Sequence, residues 1–586
     1  MKTTRRDIMM LAGGSAVGVL FTPAPWRLIT DTALWSENWP GIPRPARGEI
    51  RVRYSNCPLC TAGCAVRARC VGDQPVSLAG VPGHPLSHGA LCAFGLAGHH
   101  LPYHPARLQQ GPVKEAAAAV AGGMAKLGAS EHVVTLDLRP ARTASWTYRR
   151  AMAAVKNGRY VAASSGPGEG IAVDLAKART VLSLGVPVLD GWGTPGNVIA
   201  ARPGFRLIQA EAVESRTASM ADLWVRIRPG SEDALAQGLA GAISPAAAAE
   251  ATGVPEAQIV AVSRELAENG PVLVLGAGRL EGAGRTVVGR RETPVPAEWQ
   301  KAAAPVTDLA ELPDGSVRVL MIDESAPDGY LPWDRISRKL VADNPVVVAF
   351  ASTRQGYGRY AQYVLPVGVY PEVADDIPPA VDSVAAAFRI AAPLVPAPAG
   401  MVKPEEFVAN AAGLAIGDPL GERADAIHKA GRGSLFTYTD AKTVALKDVT
   451  AEDFRKALWA GACWTDTVDE KAPLAPPAAA VAQARPDEDA ELPLAIALSH
   501  ELTPASPLLS KLYRESNLRL GPGRVALHPS CGLEDGAQAT LQTARGKCAV
   551  EVTLDAGVPP GVVQATAWPA LLDLCAPGAR AKVVRV

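Results

Sequence analysis

Four cysteines near the N-terminus of this 586-residue chain give the strongest chemical signal in the sequence. Cys57, Cys60 and Cys64 lie in the segment CPLCTAGC, and Cys92 follows in GALCAFG, which gives the pattern C-x2-C-x3-C-x27-C. A four-iron, four-sulfur cluster requires four soft thiolate ligands. Three thiolates on one loop and a fourth returned by the fold could surround such a cluster. The pattern therefore predicts one [4Fe–4S] cluster bound by these four residues.

Spacing alone leaves two other uses of these thiols open. A structural zinc site usually has two C-x2-C pairs or a Cys/His combination, and a second pair is missing here. Disulfides would require a distant partner for each of three closely spaced cysteines, and the total of nine is odd. Cys70 lies in the strand-like segment ARCVGD and is interpreted as a packing residue.

Five histidines follow the cysteine-rich loop and form a second group of possible metal or haem ligands. They are His84, His88, His99, His100 and His104. Histidines in turns commonly form local hydrogen bonds, and this is the favoured interpretation. A role in tuning or shielding an electron exit is the alternative.

A glycine turn, GAGRLEG, begins at Gly276 after the apolar run PVLVL. Nucleotide-binding folds place such turns at strand ends. The G-x-G-x-x-G spacing is absent, so the turn is weak evidence for a dinucleotide site.

The elements that must position these residues change in character along the chain. From about residue 112, helical stretches such as VKEAAAAVAGGMAKLGA alternate with apolar runs such as HVVTLDL, VRVLMIDES and NPVVVAFAS. This alternation predicts βαβ units and parallel sheets, which bind ligands beyond the carboxyl ends of their strands. After a Pro- and Ala-rich linker the helical signal fades, and short strands with turns predict a small β-barrel.

Length and charge limit the protein class. With 48% hydrophobic residues the chain is long enough for several cores. Basic and acidic residues number 58 each, so no nucleic-acid partner is expected. The predicted segments are an N-terminal signal and arm (1–44), a [4Fe–4S] domain (45–105), a discontinuous α/β domain (106–160 and 300–472), a second α/β domain (161–299), a linker (473–491) and a C-terminal β-barrel (492–586).

The N-terminus has the pattern of an export signal. Arg5 and Arg6 precede an apolar run of about fourteen residues, which is shorter than the ~20 that span a bilayer. The pair resembles a twin-arginine signal, with a chance pair before a buried helix as the alternative. We therefore expect export to the periplasmic side of the cytoplasmic membrane.

The segment YSNCPLCTAGCAVRARCVGDQPVSLAGVPGHPLSHGALCAFGLAG resembles the N-terminal cluster domain of the molybdopterin oxidoreductase superfamily. Further similarities follow in the family's order, in WGTPGNVIAARPGFRLIQAEAVESRTASMADLWVRIRPG, in AQYVLPVGVYPE and over residues 517–567. The resemblance implies an N-terminal iron–sulfur domain, two interleaved Rossmann-like α/β domains and a C-terminal double-psi β-barrel.

The sequence departs from the family at positions that concern molybdenum. Two residues after the last cluster cysteine the family usually has Lys or Arg, and this chain has Phe94. No cysteine lies between 92 and 463, so Ser164 and Ser165 are the available candidates for a metal ligand. The chain is also short for a molybdenum enzyme of this type. In a true molybdoenzyme a nucleotide would be held by Glu211, Arg216 and Asp222, which are otherwise expected to form an ion-paired surface loop.

These departures are similar to those of molybdenum-free subunits of membrane quinone oxidoreductases. The resemblance implies a subunit of the menaquinone reductase type that relays electrons between cytochrome c and the quinone pool, without molybdenum-pterin and without the catalytic site itself. The implied partners are a multihaem cytochrome c subunit, a separate iron–sulfur subunit and an integral membrane quinone-binding subunit.

Two alternatives stay open. One is a subunit of alternative complex III, a quinol:cytochrome c oxidoreductase, which commonly has a C-terminal ferredoxin-like fusion not seen here. The other is a genuine molybdenum bis-pterin reductase of a sulfur oxyanion or a similar substrate.

Overall fold

The computed structural model describes residues 4–21, 48–163, 170–276, 279–282, 286–326, 329–467, 491–499, 523–575 and 579–586. The cysteine-rich segment folds around a three-stranded antiparallel sheet. Its strands are β1 (Ile50–Asn56), β2 (Ala65–Val71) and β3 (Gln74–Gly80). The β1–β2 pairing runs from Ile50↔Val71 to Asn56↔Ala65, so the residues between 56 and 65 form the closing loop of the hairpin.

A six-stranded parallel sheet forms the centre of the molecule. It contains β4 (His132–Asp137), β5 (Gly158–Ala162), β13 (Val306–Thr307), β14 (Val317–Asp323), β15 (Val346–Ala351) and β16 (Tyr363–Pro366). The strand order is β13-β5-β4-β14-β15-β16, so the order reverses between β4 and β14. Both strands are buried almost throughout, which explains their continuous apolar runs.

The chain between the two halves of this sheet forms a second sheet, in the order β11-β10-β7-β8-β9. Its strands are β7 (Thr180–Leu184), β8 (Arg206–Glu211), β9 (Leu223–Arg226), β10 (Val272–Gly276) and β11 (Arg279–Gly282). All neighbours are parallel except β10 and β11. A short antiparallel pair is formed by β6 (Ile171–Val173) and β12 (Val287–Gly289). In the sequence, β6 precedes the first strand of the second sheet and β12 follows its last strand.

A further sheet is antiparallel, a feature that the strand–helix alternation did not predict. Its strands are β17 (Asp375–Asp376), β18 (Ala386–Ala391), β19 (Ser434–Thr437), β20 (Lys442–Ala445) and β21 (Ala462–Asp466), in the order β17-β18-β21-β19-β20. The completely buried strand β18 has the continuous apolar pattern of a parallel strand, which is why pattern alone could not distinguish the two cases.

The C-terminal strands form a closed six-stranded barrel. They are β22 (Leu494–Ser499), β23 (Arg524–Leu527), β24 (Gln538–Thr543), β25 (Gly546–Leu554), β26 (Val562–Thr566) and β27 (Arg580–Arg585), ordered β22-β26-β23-β25-β24-β27. Asp573 joins the barrel to the six-stranded body, because its carboxylate accepts hydrogen bonds from Trp333 N at 2.8 Å and from the Tyr360 hydroxyl at 2.6 Å.

Helices cover and connect these sheets. Their bounds are Arg5–Phe21, Ala93–Ala97, Val113–Ala125, Thr143–Ala154, Pro195–Ala201, Arg216–Ser219, Glu232–Leu239, Pro245–Thr252, Glu256–Glu268, Ala297–Ala302, Trp333–Ser337, Pro404–Ala411, Pro419–Ala430, Ala451–Gly461 and Pro569–Leu572. The first has 17 residues, and none of the helices in the described ranges is long and apolar enough to cross a membrane.

Candidate iron–sulfur centre

The loop between β1 and β2 presents three of the predicted cysteines. Cys57 N donates to Cys64 O at 2.9 Å, which closes the loop at its base, and Gly63 N donates to Cys60 O at 3.2 Å within it. The antiparallel pairing of Asn56 with Ala65 holds the two ends together. The compact spacing in the sequence therefore follows from a tight hairpin connection.

Gly63 cannot be replaced by another residue type without strain. Its φ of +52° lies in the left-handed region, and a Cβ atom there would overlap the guanidinium of Arg389. Arg389 comes from β18, is fully buried, and donates from Nη2 to Thr61 O at 3.2 Å. The antiparallel sheet thus contributes a buried arginine that hydrogen-bonds to the backbone of the cysteine loop.

The fourth cysteine, Cys92, comes from a separate segment of the chain and lines the same cavity. Cys92 immediately precedes the helix Ala93–Ala97, and its carbonyl oxygen accepts the N–H of Leu96 at 3.0 Å. The next glycine, Gly95, is close enough to Cys57 that an added Cβ would lie 3.6 Å from its Sγ. One cavity is lined by all four cysteines, together with Leu59, Ala62, Leu91, Phe94, Gly191, Gly193 and Pro195. The structure therefore brings the four predicted residues together.

The four thiols affect one another's charge. Burial, followed by the charges of Cys60, Cys92 and Cys64, raises the pKa of Cys57 well above its usual range. Burial, and then Cys60 and Cys92, raise the pKa of Cys64, while Arg389 lowers it. Four thiolates in an apolar cavity are unfavourable unless positive charge lies between them. Four irons supply that charge and give each thiolate its own metal, so the residues fit a [4Fe–4S] cluster.

The other uses of the thiols find no support in the structure. All nine cysteines lie in the described ranges, and none is joined to another by a disulfide. Within those ranges, no group of three or more His, Cys, Asp or Glu is arranged to hold a single metal ion, as a zinc site would require. Cys70 is fully buried in the core of the cysteine-rich domain, as a packing residue would be.

Four of the five histidines contact residues close to them in the sequence, whereas His88 contacts a residue of the second α/β unit. His84 is buried and accepts N–H groups from Leu86 and Ser87 at its Nδ1, at 3.2 and 3.0 Å. Burial, followed by the charges of Arg389 and His88, lowers its pKa to about 3, which keeps the ring neutral. His88 contacts Asn197, His99 contacts Leu96 O, and His104 accepts from Ala106 N. His100 packs against the ring of His99.

A second potential site lies where the strand order of the central sheet reverses, because ligands of such sheets bind there. The last residues of β4 and β14, Asp137 and Asp323, are register partners at this point. Arg142 lies between them and donates to Asp323 at 2.6 Å and to Asp375 at 2.8 Å, with Asp137 at 3.6 Å. We call Asp137, Arg142, Asp323 and Asp375 the crevice network.

Neighbouring side chains complete the crevice network. The hydroxyls of Tyr148 and Tyr160 donate to Asp323 and Asp137, each at 2.8 Å. Arg423 pairs with Asp376 at 2.9 Å beside it. The polar groups at the reversal point thus bind one another, and the carboxylates would repel the phosphates of a pterin dinucleotide. These residues do not fit that group.

The remaining sequence candidates lie elsewhere. Ser164 and Ser165 are outside the described residues. Glu211 accepts Ser215 N at 2.9 Å, Asp222 pairs with Arg202 at 3.0 Å, and Arg216 begins the helix Arg216–Ser219. Phe94 is buried and lines the thiol cavity. Gly276 ends β10 with a φ of +98°, and the two residues that follow it are outside the described ranges.

Sequence reasoning missed the residues that reach the centre from distant parts of the chain. Arg139 donates to Pro58 O from the loop after β4, and Arg389 contacts the loop from 325 residues beyond Cys64. The glycine pair Gly191 and Gly193 reaches the cavity from the second α/β unit. No local pattern marks such residues, since only the assembled fold brings them near the thiols.

The cysteine-rich segment matches a known family model. Residues 50–104 match the Molybdopterin oxidoreductase Fe4S4 domain, and this range includes all four cysteines. The match supports one [4Fe–4S] cluster at Cys57, Cys60, Cys64 and Cys92.

The whole chain is similar to proteins of known fold and name. It is 27% identical to the menaquinone reductase molybdopterin-binding-like subunit of Nitratidesulfovibrio vulgaris, over 95% of this chain and 92% of that protein. It is 26% identical to a sulfite dehydrogenase subunit of Allochromatium vinosum, over 32% of this chain and 23% of that one. Acetylene hydratase from Pelobacter acetylenicus superposes with a TM-score of 0.65 at 14% identity, over 91% of this chain and all of that chain. This superposition confirms the predicted fold class.

Proposed function

We propose that this chain, a molybdopterin oxidoreductase family protein with an Fe4S4 domain, is the electron-relaying subunit of a membrane quinone oxidoreductase of the menaquinone reductase type. The observation that supports the proposal is the contrast between its two potential cofactor sites. Four cysteines, of which Cys57 and Cys64 are buried, line one cavity, whereas the crevice network satisfies its own polar groups. The similarity to a menaquinone reductase subunit extends over 95% of the chain.

The chain's own residues would hold a cluster in a protected position. A bound [4Fe–4S] cluster exchanges single electrons. Leu59, Leu91 and Phe94 line the cavity with apolar side chains and exclude water. The exposed Leu96, next to the turn that supplies Cys92, brings the protein surface close to the cavity. Quinone chemistry would then take place in a separate subunit.

Metal analysis tests the proposal directly. Protein purified from a host that makes pterin cofactors should contain about four irons per chain and no molybdenum or tungsten. The reduced protein should give the electron paramagnetic resonance signal of one cluster. Stoichiometric molybdenum or tungsten with a pterin dinucleotide would contradict the proposal and favour a catalytic enzyme. The partial similarity to a sulfite dehydrogenase makes a sulfur oxyanion the first substrate to test in that case.

The proposed partners are a multihaem cytochrome c subunit, a separate iron–sulfur subunit and an integral membrane quinone-binding subunit. Purification of the tagged chain from solubilised membranes should yield all three, identified by haem absorption and mass spectrometry. Reconstituted complex should reduce a menaquinone analogue when reduced cytochrome c is supplied. Electron flow only from quinol to cytochrome c would favour the alternative complex III assignment.

The proposed location is the periplasmic side of the cytoplasmic membrane. Replacing Arg5 and Arg6 together with lysine should retain the chain in the cytoplasm, because the twin-arginine pathway recognises the arginine pair. Cell fractionation and immunoblotting measure the distribution. Normal delivery of the double variant would contradict this route.

A further inference from the structure

Tyr370 lies between the cysteine-rich domain and the central sheet, in a turn after β16. Glu372 fixes this turn, since its N–H donates to Val369 O at 2.6 Å and its carboxylate accepts Val369 N at 3.1 Å. The buried Arg107 binds the same carboxylate through both terminal nitrogens, at 2.6 and 2.5 Å. Residue 370 therefore has a fixed position.

The ring of Tyr370 packs against the cysteine-rich domain. The side chain is 5% exposed and belongs to the same buried cluster as Cys57, Phe94 and Leu101. A Cβ atom at Gly98 would overlap the ring, so glycine at 98 is what permits the close approach. The tyrosine is thus part of the buried core of the cysteine-rich domain, together with Cys57 and Phe94, which line the thiol cavity.

The hydroxyl of Tyr370 has no hydrogen-bond partner among the described residues, although it is buried. A buried hydroxyl without a partner is energetically unfavourable, because it has lost its hydrogen bonds to water. Burial, followed by the charges of Cys57, Cys64 and Cys92, raises the pKa of Tyr370 well above its usual range. The hydroxyl is therefore a neutral, unpaired donor within the buried cluster that contains Cys57.

We propose that the Tyr370 hydroxyl donates a hydrogen bond to a sulfur of the cluster held by the four cysteines and thereby raises its reduction potential. A cluster sulfur is the acceptor that the buried hydroxyl otherwise lacks. Hydrogen bonds to the sulfurs are among the factors that set the potential of iron–sulfur clusters, because they stabilise the more negative, reduced state. The inference rests on cluster binding, which is part of the proposed function.

The test is the reduction potential of the Tyr370→Phe protein. This change removes one hydroxyl and keeps the ring that packs on Gly98. Redox titration followed by electron paramagnetic resonance should show a more negative potential than in the unaltered protein, with iron content unchanged. Tyr357→Phe is the matched control. Tyr357 is also a buried tyrosine of the central body, but its hydroxyl bonds to the backbone of Leu331, and its replacement should leave the potential unchanged.

A second substitution covers the case in which Tyr370→Phe fails to bind iron. Site-specific 3-fluorotyrosine at 370 keeps the ring and makes the hydroxyl a stronger donor, so the potential should shift to more positive values. An iron-loaded Tyr370→Phe protein with unchanged potential would overturn the inference. An unchanged potential of the fluorinated protein would also overturn it. Absence of iron from the unaltered protein would instead contradict cluster binding itself.

Discussion

Within the described part of the chain, the thiol cavity and the crevice network are two places where a cofactor could bind, and they differ in how their buried polar groups are satisfied. In the crevice network, Arg142 binds aspartates from three segments, and two tyrosine hydroxyls complete the arrangement. At the thiol cavity, the cysteines raise one another's pKa, and in the buried cluster around it the hydroxyl of Tyr370 has no partner among the described residues. Buried polar groups without partners indicate a ligand, whereas a network that pairs all its groups is complete without one.

The largest expected effect comes from removing a thiol. Cys64→Ala should lose most of its iron, because one iron of the cluster would have no protein ligand. Cys70→Ala is the matched control, since Cys70 is also fully buried in this domain and should not bind iron. Iron per chain is measured by plasma mass spectrometry. Equal iron in the two variants would remove Cys64 from the ligand set.

The second prediction concerns the crevice network. Arg142→Met should destabilise the protein by about 3–5 kcal/mol, because it leaves buried aspartates without their cation. Folded protein should still contain its iron, which separates the two sites. Arg455→Met is the control, since Arg455 forms an exposed pair with Asp425 that should contribute only about 0–1 kcal/mol. Urea denaturation and iron analysis measure both effects. Equal losses of stability would show that the crevice network is not a structural centre.

The third prediction compares two buried arginines. Arg142 has three carboxylates around it, whereas Arg389 has no ion-pair partner within the described ranges, and its Nε and Nη1 find no acceptor there. The negative charge of a thiolate-bound cluster would compensate Arg389. Arg389→Met should therefore leave cluster-free protein equally stable or about 1 kcal/mol more stable. In loaded protein the reduction potential should become more negative.

Redox titration and denaturation of the cluster-free and loaded forms test the role of Arg389. A large destabilisation of the cluster-free variant, similar to that of Arg142→Met, would show that Arg389 is compensated by the protein itself. A reduction potential equal to that of the unaltered protein would show that the charge of Arg389 does not affect the potential of the cluster.

The sequence identified the candidate ligands of the thiol cavity because three of the four lie close together in the chain. Cys57, Cys60 and Cys64 lie on one hairpin loop, and their spacing and residue type are readable without a fold. The parallel sheets were predictable for a similar reason, since each strand and helix has its own pattern. The Asp137–Asp323 pair and the positions of Tyr370 and Arg389 were not, because strands far apart in the sequence must first become neighbours.

The smallest expected effect is a pH dependence at the edge of the crevice network. Glu405 lies in the first turn of the helix Pro404–Ala411, and burial, followed by the charges of Asp375 and Asp323, raises its pKa to about 7. The unfolded chain releases this proton near pH 4.5, whereas the folded protein keeps it to about pH 7. The unfolded state thus binds fewer protons in this range, and the free energy of unfolding falls as pH rises from about 4.5 to 7.

Glu405→Gln should remove this slope, because glutamine stays neutral at every pH. Urea midpoints between pH 4.5 and 8 measure it, and Glu406→Gln is the control, since the neighbouring Glu406 is exposed and pairs with Lys403. The control should keep the slope of the unaltered protein. If Glu405→Gln kept the same slope, Glu405 would not be its source. Glu405 would then already be ionised at acidic pH, because positive charge in the crevice network stabilises its carboxylate. The crevice network would then compensate every carboxylate with its own residues, whereas the thiols of the cavity require a bound metal for compensation.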